Sequence, residues 1–367
     1  MVLKRRIIIA GPFPPPLHGM AYVNAAMRDR IKRFGIEPIT VDLSSKTLNR
    51  AWIARIPRAT NVLLGLIKIL GCKRHFNSAS IYLSISGGYG QIYDILFIAL
   101  ARLLKWPIYL HYHSYAYLTK PSRITRLLIT TAGKSAIHIS LCDDMAERLR
   151  HYYHNVVNVA VLSNASLIGT NERPVRYHRK SLKRIGFLGN ISESKGIFEF
   201  LDVMKSLSEE RSQAEIHGLI AGPFEDAQVK SQVLSALKDL ANVSYVGPKY
   251  GSEKEDFLRS IDALLFPTKY ANEADPLTIH EAMATGLPVI AWQRGCIQDI
   301  INPKAGFVIK QNEDFVKLAI ERILLWAFSA EEYRRASANA YRQFIRLHTV
   351  CQKNLEKLVD QMICNNI

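Results

Sequence analysis

The sequence predicts an α/β fold with two domains, each built on a parallel β-sheet. The chain has 367 residues, enough for two domains with buried cores. In both halves, short apolar segments typical of strands alternate with longer segments of helical period, and this order favours parallel sheets. The polar stretch 169–181 interrupts the alternation, and a new strand is predicted at 183–188. The two halves are therefore interpreted as separate α/β domains.

The first half opens with a strand, a glycine-containing loop and a helix. Residues 5–10 are predicted to form a buried strand, 11–20 a proline-rich loop and 21–34 a helix. This order is typical of the start of a nucleotide-binding α/β domain. The G-x-G-x-x-G pattern of dinucleotide enzymes is absent, which argues against an NAD-dependent enzyme.

Two histidines lie at the end of the strand predicted at 107–114. Side chains alternate along a strand, so His111 and His113 share one face. At the carboxyl end of a parallel strand, such a face borders the crevice where α/β proteins bind ligands. A strand histidine held by structural hydrogen bonds is the alternative, and we favour that alternative for His111.

The stretch Glu273 to Ala291, reading EADPLTIHEAMATGLPVIA, predicts a loop, a helix, a turn and a strand. Asp275 or Thr278 is expected to cap the helix. A helix N-terminus attracts anions, and carboxylates beside it are suited to accept hydrogen bonds from hydroxyl groups. A nucleotide sugar presents both kinds of group. An ordinary β-α-β unit with surface acids such as Glu281 is the alternative reading of the same pattern.

Nearly all of the excess positive charge lies in the first half. The formal net charge is +16; residues 1–165 hold 22 lysines and arginines against 7 acids, and residues 166–367 hold 26 against 25. Segment 46–77 mixes basic and apolar residues as membrane-surface helices do, although a core-packed helix with a solvated basic face gives a similar pattern. Nucleic acid, an anionic membrane and an acidic substrate all suit such a surface, but no nucleic-acid-binding module is recognisable. No apolar run approaches a membrane-spanning length, and no cysteines have metal-binding spacing.

The stretch that starts at Glu273 resembles the E-x7-E signature of retaining glycosyltransferases of family 4, written EGFPLxxxEAMAxGxPVIA. Ala274 and Asp275 replace its second and third positions, while both acids match. Residues 189–196 resemble the GRLxxxKG phosphate loop of the same family. Lys195 matches its lysine, whereas Asn190 stands where many members have arginine, so one of the two expected cations is missing.

The resemblance implies the GT-B fold, in which two Rossmann-like domains face a central cleft and the C-terminal helix returns to the first domain. Residues 1–168, with 345–367 packing back onto them, would bind the acceptor, and residues 169–344 would bind the nucleotide sugar. The implied catalytic residues are His113, Lys195 and Glu273. The implied donor-binding residues are Gly19, Asn190, Lys195, Glu273, Asp275, Pro276, Leu277 and Glu281. Gly19 is alternatively a turn glycine at a helix start.

The resemblance further implies retaining, metal-independent transfer of a hexosyl group from a UDP- or GDP-linked sugar, without a cofactor. Together with the basic first half, it favours a glycan or lipid-linked acceptor of cell-surface polysaccharide or lipopolysaccharide synthesis. The expected location is cytoplasmic, peripheral at the inner face of the membrane, with an anionic membrane and no nucleic acid as partner. The alternatives are a nucleotide-sugar epimerase of the GT-B fold, a basic nucleic-acid-binding protein and an inactive scaffold.

Overall fold

The chain folds into two compact units in a computed structural model. The residues that the structure describes are 6–15, 19–44, 55–75, 78–170, 181–209 and 215–364. Unit 1 comprises Met1–Leu167 and Val350–Ile367, and unit 2 comprises Ile168–Thr349. The predicted boundary was residue 168, with a return at 345. Most of the expected linker 169–181 lies outside the described residues, as does part of segment 46–77.

Unit 1 is built on a parallel sheet. Its strands are β1 (Arg6–Gly11), β2 (Ile39–Asp42), β3 (Ala79–Ile85), β4 (Ile108–Tyr112), β5 (Ile137–Ser140) and β6 (Asn158–Val161). They lie in the order β2-β1-β3-β4-β5-β6, and every neighbouring pair is parallel. β3 and β4 are buried along their whole length, as expected for a sheet covered on both faces.

Helices connect these strands. They are α1 (Gly19–Arg33), α2 (Arg55–His75), α3 (Gln91–Leu103), α4 (Ala116–Thr119), α5 (Arg123–Ala132) and α6 (Asp143–Tyr152). Ile7 and Ile9 of β1 share a core cluster with Met27 of α1 and with Leu355 and Val359. The last two residues belong to α13 (Ala330–Ile363), a continuous helix whose end returns to unit 1.

Helix α5 begins after Pro121. Lys120 is extended, as expected for a residue before a proline, and α5 begins only at Arg123. The hydroxyl of Ser122 caps it by accepting a hydrogen bond from the backbone N–H of Thr125, 3.3 Å away.

Unit 2 repeats the architecture. Its strands are β7 (Arg184–Leu188), β8 (His217–Ala221), β9 (Val243–Tyr245), β10 (Ala263–Phe266), β11 (Val289–Trp292) and β12 (Gly306–Ile309). The order is β12-β11-β10-β7-β8-β9, again all parallel. Its helices are α7 (Ile197–Glu209), α8 (Ala227–Ala236), α9 (Gly251–Ser260), α10 (Leu277–Ala284), α11 (Ile297–Ile300), α12 (Phe315–Phe328) and the first part of α13.

Each sheet has one point where the strand order reverses. In unit 1 this point lies between β1 and β3, and in unit 2 it lies between β7 and β10. Loops that leave the carboxyl ends of the two strands at such a point diverge and leave a crevice, which is where open α/β sheets bind ligands. In unit 2 the two loops are 189–196 and 267–276, the segments that carry most of the candidate site residues.

Among the described residues, no helix combines the length and the apolar character needed to cross a membrane.

Candidate functional site

The loop after β7 presents Lys195 at the carboxyl edge of the sheet. Ser192 starts a single 3₁₀ turn, and its hydroxyl accepts a hydrogen bond from the backbone N–H of Lys195 at 3.2 Å. Gly196 ends the turn in the left-handed region, with φ of 82°. A Cβ atom on Gly196 would lie 1.9 Å from the carbonyl oxygen of Pro267. Only glycine therefore permits this close contact with the loop after β10.

The side chains of Lys195 and Glu273 meet between these two loops. The Nζ atom of Lys195 lies 2.5 Å from Oε2 of Glu273. The hydroxyl of Thr268 donates a second hydrogen bond to the same oxygen at 3.1 Å. Nζ also lies 4.6 Å from the ring centroid of Tyr270, a cation–π distance. Two residues that the sequence assigned to separate motifs are therefore one charged cluster at the switch point.

The backbone that carries Glu273 is fixed by the loop after β11. Gly295 has φ of 54°, and a Cβ atom there would lie 2.4 Å from the carbonyl oxygen of Glu273. The next residue, Cys296, donates its backbone N–H to the carbonyl oxygen of Ala274 at 2.7 Å. The acidic turn is thus packed against a neighbouring loop on one side and bonded to Lys195 on the other.

Helix α10 starts without the cap that the sequence predicted. The N-cap residue is Pro276, and no side chain caps it, so the expected cap at Asp275 or Thr278 is wrong. The physical reason is that the fully buried carboxylate of Asp275 lies 2.5 Å from Nε2 of His280. Asp275 is therefore engaged inside unit 2, and α10 begins at Leu277 without a side-chain cap.

Glu281 lies inside α10 and is paired with a lysine that the sequence did not single out. Nζ of Lys254 lies 2.6 Å from Oε1 and 2.5 Å from Oε2 of Glu281. Burial raises the pKa of the Glu281 carboxyl above its ordinary value, and the ammonium of Lys254 opposes that rise. Lys254 sits among acidic residues of α9, a composition typical of a solvated surface helix, so no local signal marks it.

Asn190 is exposed at the start of the loop after β7, which also carries Lys195. It follows Gly189 at the carboxyl end of β7. An amide donates neutral hydrogen bonds only, so Lys195 is the cation that this loop contributes.

His113 follows the last residue of β4 in unit 1. Its ring centroid lies 4.1 Å from that of His111. His111 is buried, and its Nδ1 lies 2.5 Å from the hydroxyl of Tyr82. Burial, and then the neighbouring His113, hold the pKa of His111 well below the usual value. His111 is therefore a neutral, hydrogen-bonded strand residue, whereas His113 is only half-buried at the sheet edge.

Gly19 is the exposed first residue of α1. A Cβ atom at this position would meet no atom within 4 Å. Its φ lies outside the left-handed region, so neither backbone strain nor crowding within unit 1 requires a glycine here. Gly19 and His113 belong to unit 1, and the other candidate residues belong to unit 2. Within the part of the chain that is described, no three His, Cys, Asp or Glu side chains are grouped to hold a metal ion.

Comparison with known proteins gives a family match in unit 2. The family model for glycosyl transferases group 1 matches residues 170–343, which lie entirely within unit 2. A curated relative, the D-inositol 3-phosphate glycosyltransferase of Corynebacterium urealyticum, is 29% identical over 135 residues. That match covers 35% of this chain and 31% of the relative, so the chain spans about a third of the curated protein it matches.

Solved structures resemble nearly the whole chain. The sucrose-phosphate synthase (tll1590) of Thermosynechococcus elongatus gives a TM-score of 0.70 at 15% identity, covering 98% of this chain and 99% of that one. Anabaena Alr3699/HepE in complex with UDP gives 0.68 at 14% identity, covering 96% and 100%. At these identities the likeness shows the fold, which is GT-B, as the sequence predicted.

Proposed function

We propose that the protein is a retaining glycosyltransferase of family 4 that transfers a hexosyl group from a nucleotide sugar to a glycan or lipid-linked acceptor. The observation that carries the proposal is the Lys195–Glu273 pair at the switch point of the unit that matches glycosyl transferases group 1. A cation and a hydroxyl-binding carboxylate side by side suit a ligand in which a phosphate is joined to a sugar.

In the proposed reaction, the bond between the anomeric carbon and the phosphate oxygen of the donor breaks. The acceptor oxygen bonds to the anomeric carbon on the same face, and the acceptor proton passes to the leaving phosphate oxygen. Lys195 and the backbone N–H groups at the start of α10 would stabilise the negative charge that develops on the diphosphate. In this scheme the diphosphate charge is balanced without a metal ion.

The carboxylates have separate proposed tasks. Glu273 would accept hydrogen bonds from donor-sugar hydroxyls, and Glu281 would accept them from the ribose, as carboxylates do in dinucleotide folds. Oε1 of Glu281 accepts a hydrogen bond from Lys254, and the carboxylate keeps further acceptor positions for the ribose. His113 as a catalytic residue and Gly19 as a donor-binding residue, both in unit 1, stay predictions. The nucleoside is proposed to be uridine or guanosine; Alr3699/HepE, which shares the fold, was solved with UDP.

The acceptor is proposed to belong to cell-surface polysaccharide or lipopolysaccharide synthesis at the cytoplasmic face of a membrane. The supporting observation is the charge asymmetry of the chain, with 22 lysines and arginines against 7 acids in residues 1–165. An anionic lipid surface attracts such a half and brings the enzyme to a lipid-linked substrate.

The test is a thermal-shift screen of the full chain against UDP, GDP and ADP sugars, followed by turnover of the stabilising donor. The expected result is stabilisation by one nucleotide class, then transfer that needs an acceptor, gives a product with the donor's anomeric configuration and persists in EDTA. Stabilisation by none of the donors would contradict the proposal. Turnover of the nucleotide sugar without an acceptor would instead identify an epimerase.

A further inference from the structure

Helices α2 and α3 of unit 1 present apolar stripes to solvent. On α2, Leu63, Leu64, Ile67 and Leu70 are 50 to 59% exposed. On α3, the residues Ile92, Leu96 and Leu103 are 45 to 78% exposed, and they repeat at i, i+4 and i+11. Such spacing places residues on one side of a helix. We call these seven residues the α2–α3 apolar face. Single exposed leucines are ordinary, but two adjacent stripes are not.

The packing of α2 explains why its apolar side faces outward. A Cβ atom on Gly65 would lie 2.6 Å from Val41 of β2 and 3.0 Å from the ring of Phe97 of α3. This glycine therefore lets α2 approach the sheet and α3 closely. Val62 and Ile69, which are buried, fill the same inner side. These residues complete the contact between α2 and the interior of unit 1. Leu63, Leu64, Ile67 and Leu70 therefore lie on the surface.

The charges around this face have one sign. Neither α2 nor α5 contains an acidic residue, and the single acid of α3, Asp94, is buried and accepts a hydrogen bond from the backbone N–H of Ser86 at 2.7 Å. α3 packs against both α2 and α5. Among the side chains that the structure describes, the exposed basic residues of the three helices are Lys68, Arg102, Arg123 and Arg126.

Lys68 and Arg102 are held near the sheet and the neighbouring helix by backbone carbonyls. Nζ of Lys68 donates to the carbonyl oxygen of Thr40 at 2.8 Å, and the Arg102 guanidinium donates to that of Thr131 at 2.8 Å. Among the described residues, none of the four exposed bases of these helices forms an ion pair with a carboxylate, so each keeps its full charge for an external anion.

We propose that the α2–α3 apolar face is the surface by which unit 1 inserts into an anionic phospholipid bilayer. Helices that lie in a membrane interface combine an apolar stripe, which reaches the acyl boundary, with bases at the level of the lipid phosphates. A second copy of the chain fits poorly, because two basic faces would repel each other. The membrane location in the proposed function requires only attraction between opposite charges. Insertion through the α2–α3 apolar face also requires the exposed apolar side chains.

Flotation of the full chain with vesicles tests the proposal. The proposal rests on the proposed function only for the nature of the acceptor. Flotation measures membrane binding and requires no transfer activity. The wild-type protein is expected to float with phosphatidylglycerol-containing vesicles, less with phosphatidylcholine alone. The triple variant Leu63→Gln, Ile67→Gln, Leu96→Gln is expected to lose about tenfold in partitioning. Its melting temperature should be unchanged, because the three side chains are exposed in the folded state.

The matched control removes three exposed apolar side chains from unit 2, with Leu234→Gln, Leu325→Gln and Phe328→Gln. It is expected to float like the wild type. Equal flotation of both triple variants would overturn the proposal. So would a wild-type dimer that the first triple variant converts to a monomer without a change in flotation, because the face would then be an interface between copies. Transfer to a soluble acceptor is measured in parallel. It shows whether the proposed activity is intact, so that loss of membrane binding and loss of activity can be told apart.

Discussion

Nζ of Lys195 and Oε2 of Glu273 lie 2.5 Å apart, although the two residues are 78 positions apart in the chain. The contact exists because β10 adds to the sheet directly beside β7, so the loops that follow these strands share one edge. Thr268 and Tyr270 hold the pair from two further directions. In the proposed function, a donor phosphate that enters this site would share the ammonium of Lys195 with Glu273.

Lys195→Met and Glu273→Gln should each lower kcat/KM for transfer by about 10²–10³-fold, since each removes a charge aimed at the reacting group. Both variants should remain folded, because neither side chain is fully buried, with exposed fractions of 25% and 11%. Steady-state kinetics and circular dichroism provide the measurements. Lys205→Met, a lysine on an exposed face of α7, is the control and should leave turnover unchanged. Wild-type rates for Glu273→Gln would refute the assignment of the site.

Gly19→Ala should reduce transfer by roughly tenfold to hundredfold without lowering the melting temperature. The fold leaves open space around this glycine, so an added methyl group interferes with a ligand that approaches the backbone and with nothing else. Gly71→Ala is the matched control, because Gly71 is also a helical glycine with no atom within 4 Å of a built Cβ. Equal activity of the two variants would identify Gly19 as a helix-start residue without a role in binding.

Asn190→Arg should lower the KM for the nucleotide sugar by about tenfold, because a charge-assisted hydrogen bond to phosphate replaces a neutral one. The exposed position accommodates the longer side chain. Asn190→Gln keeps a neutral amide and should leave the KM near that of the wild type. Initial rates over a donor series are the measurement, and a KM raised by the arginine would show that Asn190 does not face the phosphates.

Lys254→Met should make the free energy of unfolding fall more steeply as the pH rises above 4.5. The pKa of Glu281 is already raised by burial, and loss of the ammonium removes the influence that lowers it. In the range between the unfolded value of 4.5 and the raised folded pKa, the folded state binds more protons than the unfolded state, so stability is lost with rising pH. Above that range the loss is complete, at about 1–3 kcal/mol.

Urea denaturation of Lys254→Met at a series of pH values from 4.5 to 8 measures this slope. The double variant with Glu281→Gln has no carboxyl group to titrate at this position and should restore a flatter profile. A slope that is identical in the single and double variants would mean that Glu281 ionises without help from Lys254.

The candidate site residues of unit 2 were identified from their resemblance to family motifs, and their loops also carry local signals. Gly196 and Gly295 occupy left-handed positions, and the acidic turn that starts at Glu273 leads directly into a helix. The Lys195–Glu273 contact could not be predicted in the same way. It depends on which strand adds beside β7, and no local pattern encodes strand order.

Two other contacts show the same limit. Asp275 precedes α10, so its contact with His280 has no regular helical spacing, and only the burial of both side chains inside unit 2 brings them together. The pattern of α2 predicts an amphipathic helix but not which side is covered. Gly65 decides that, through its contacts with Val41 and Phe97 of other elements.

The return of α13 to unit 1 affects the order in which the two units fold during synthesis. The core of unit 1 includes Leu355, Leu358, Val359 and Met362, all of which follow unit 2 in the sequence. Domains usually complete folding from the N-terminus onward during synthesis. Here a nascent chain that stops before Val350 holds all the strands of unit 1 without the helix that covers one face of its sheet. The half of the protein that leaves the ribosome first is therefore the half that becomes resistant to proteolysis last.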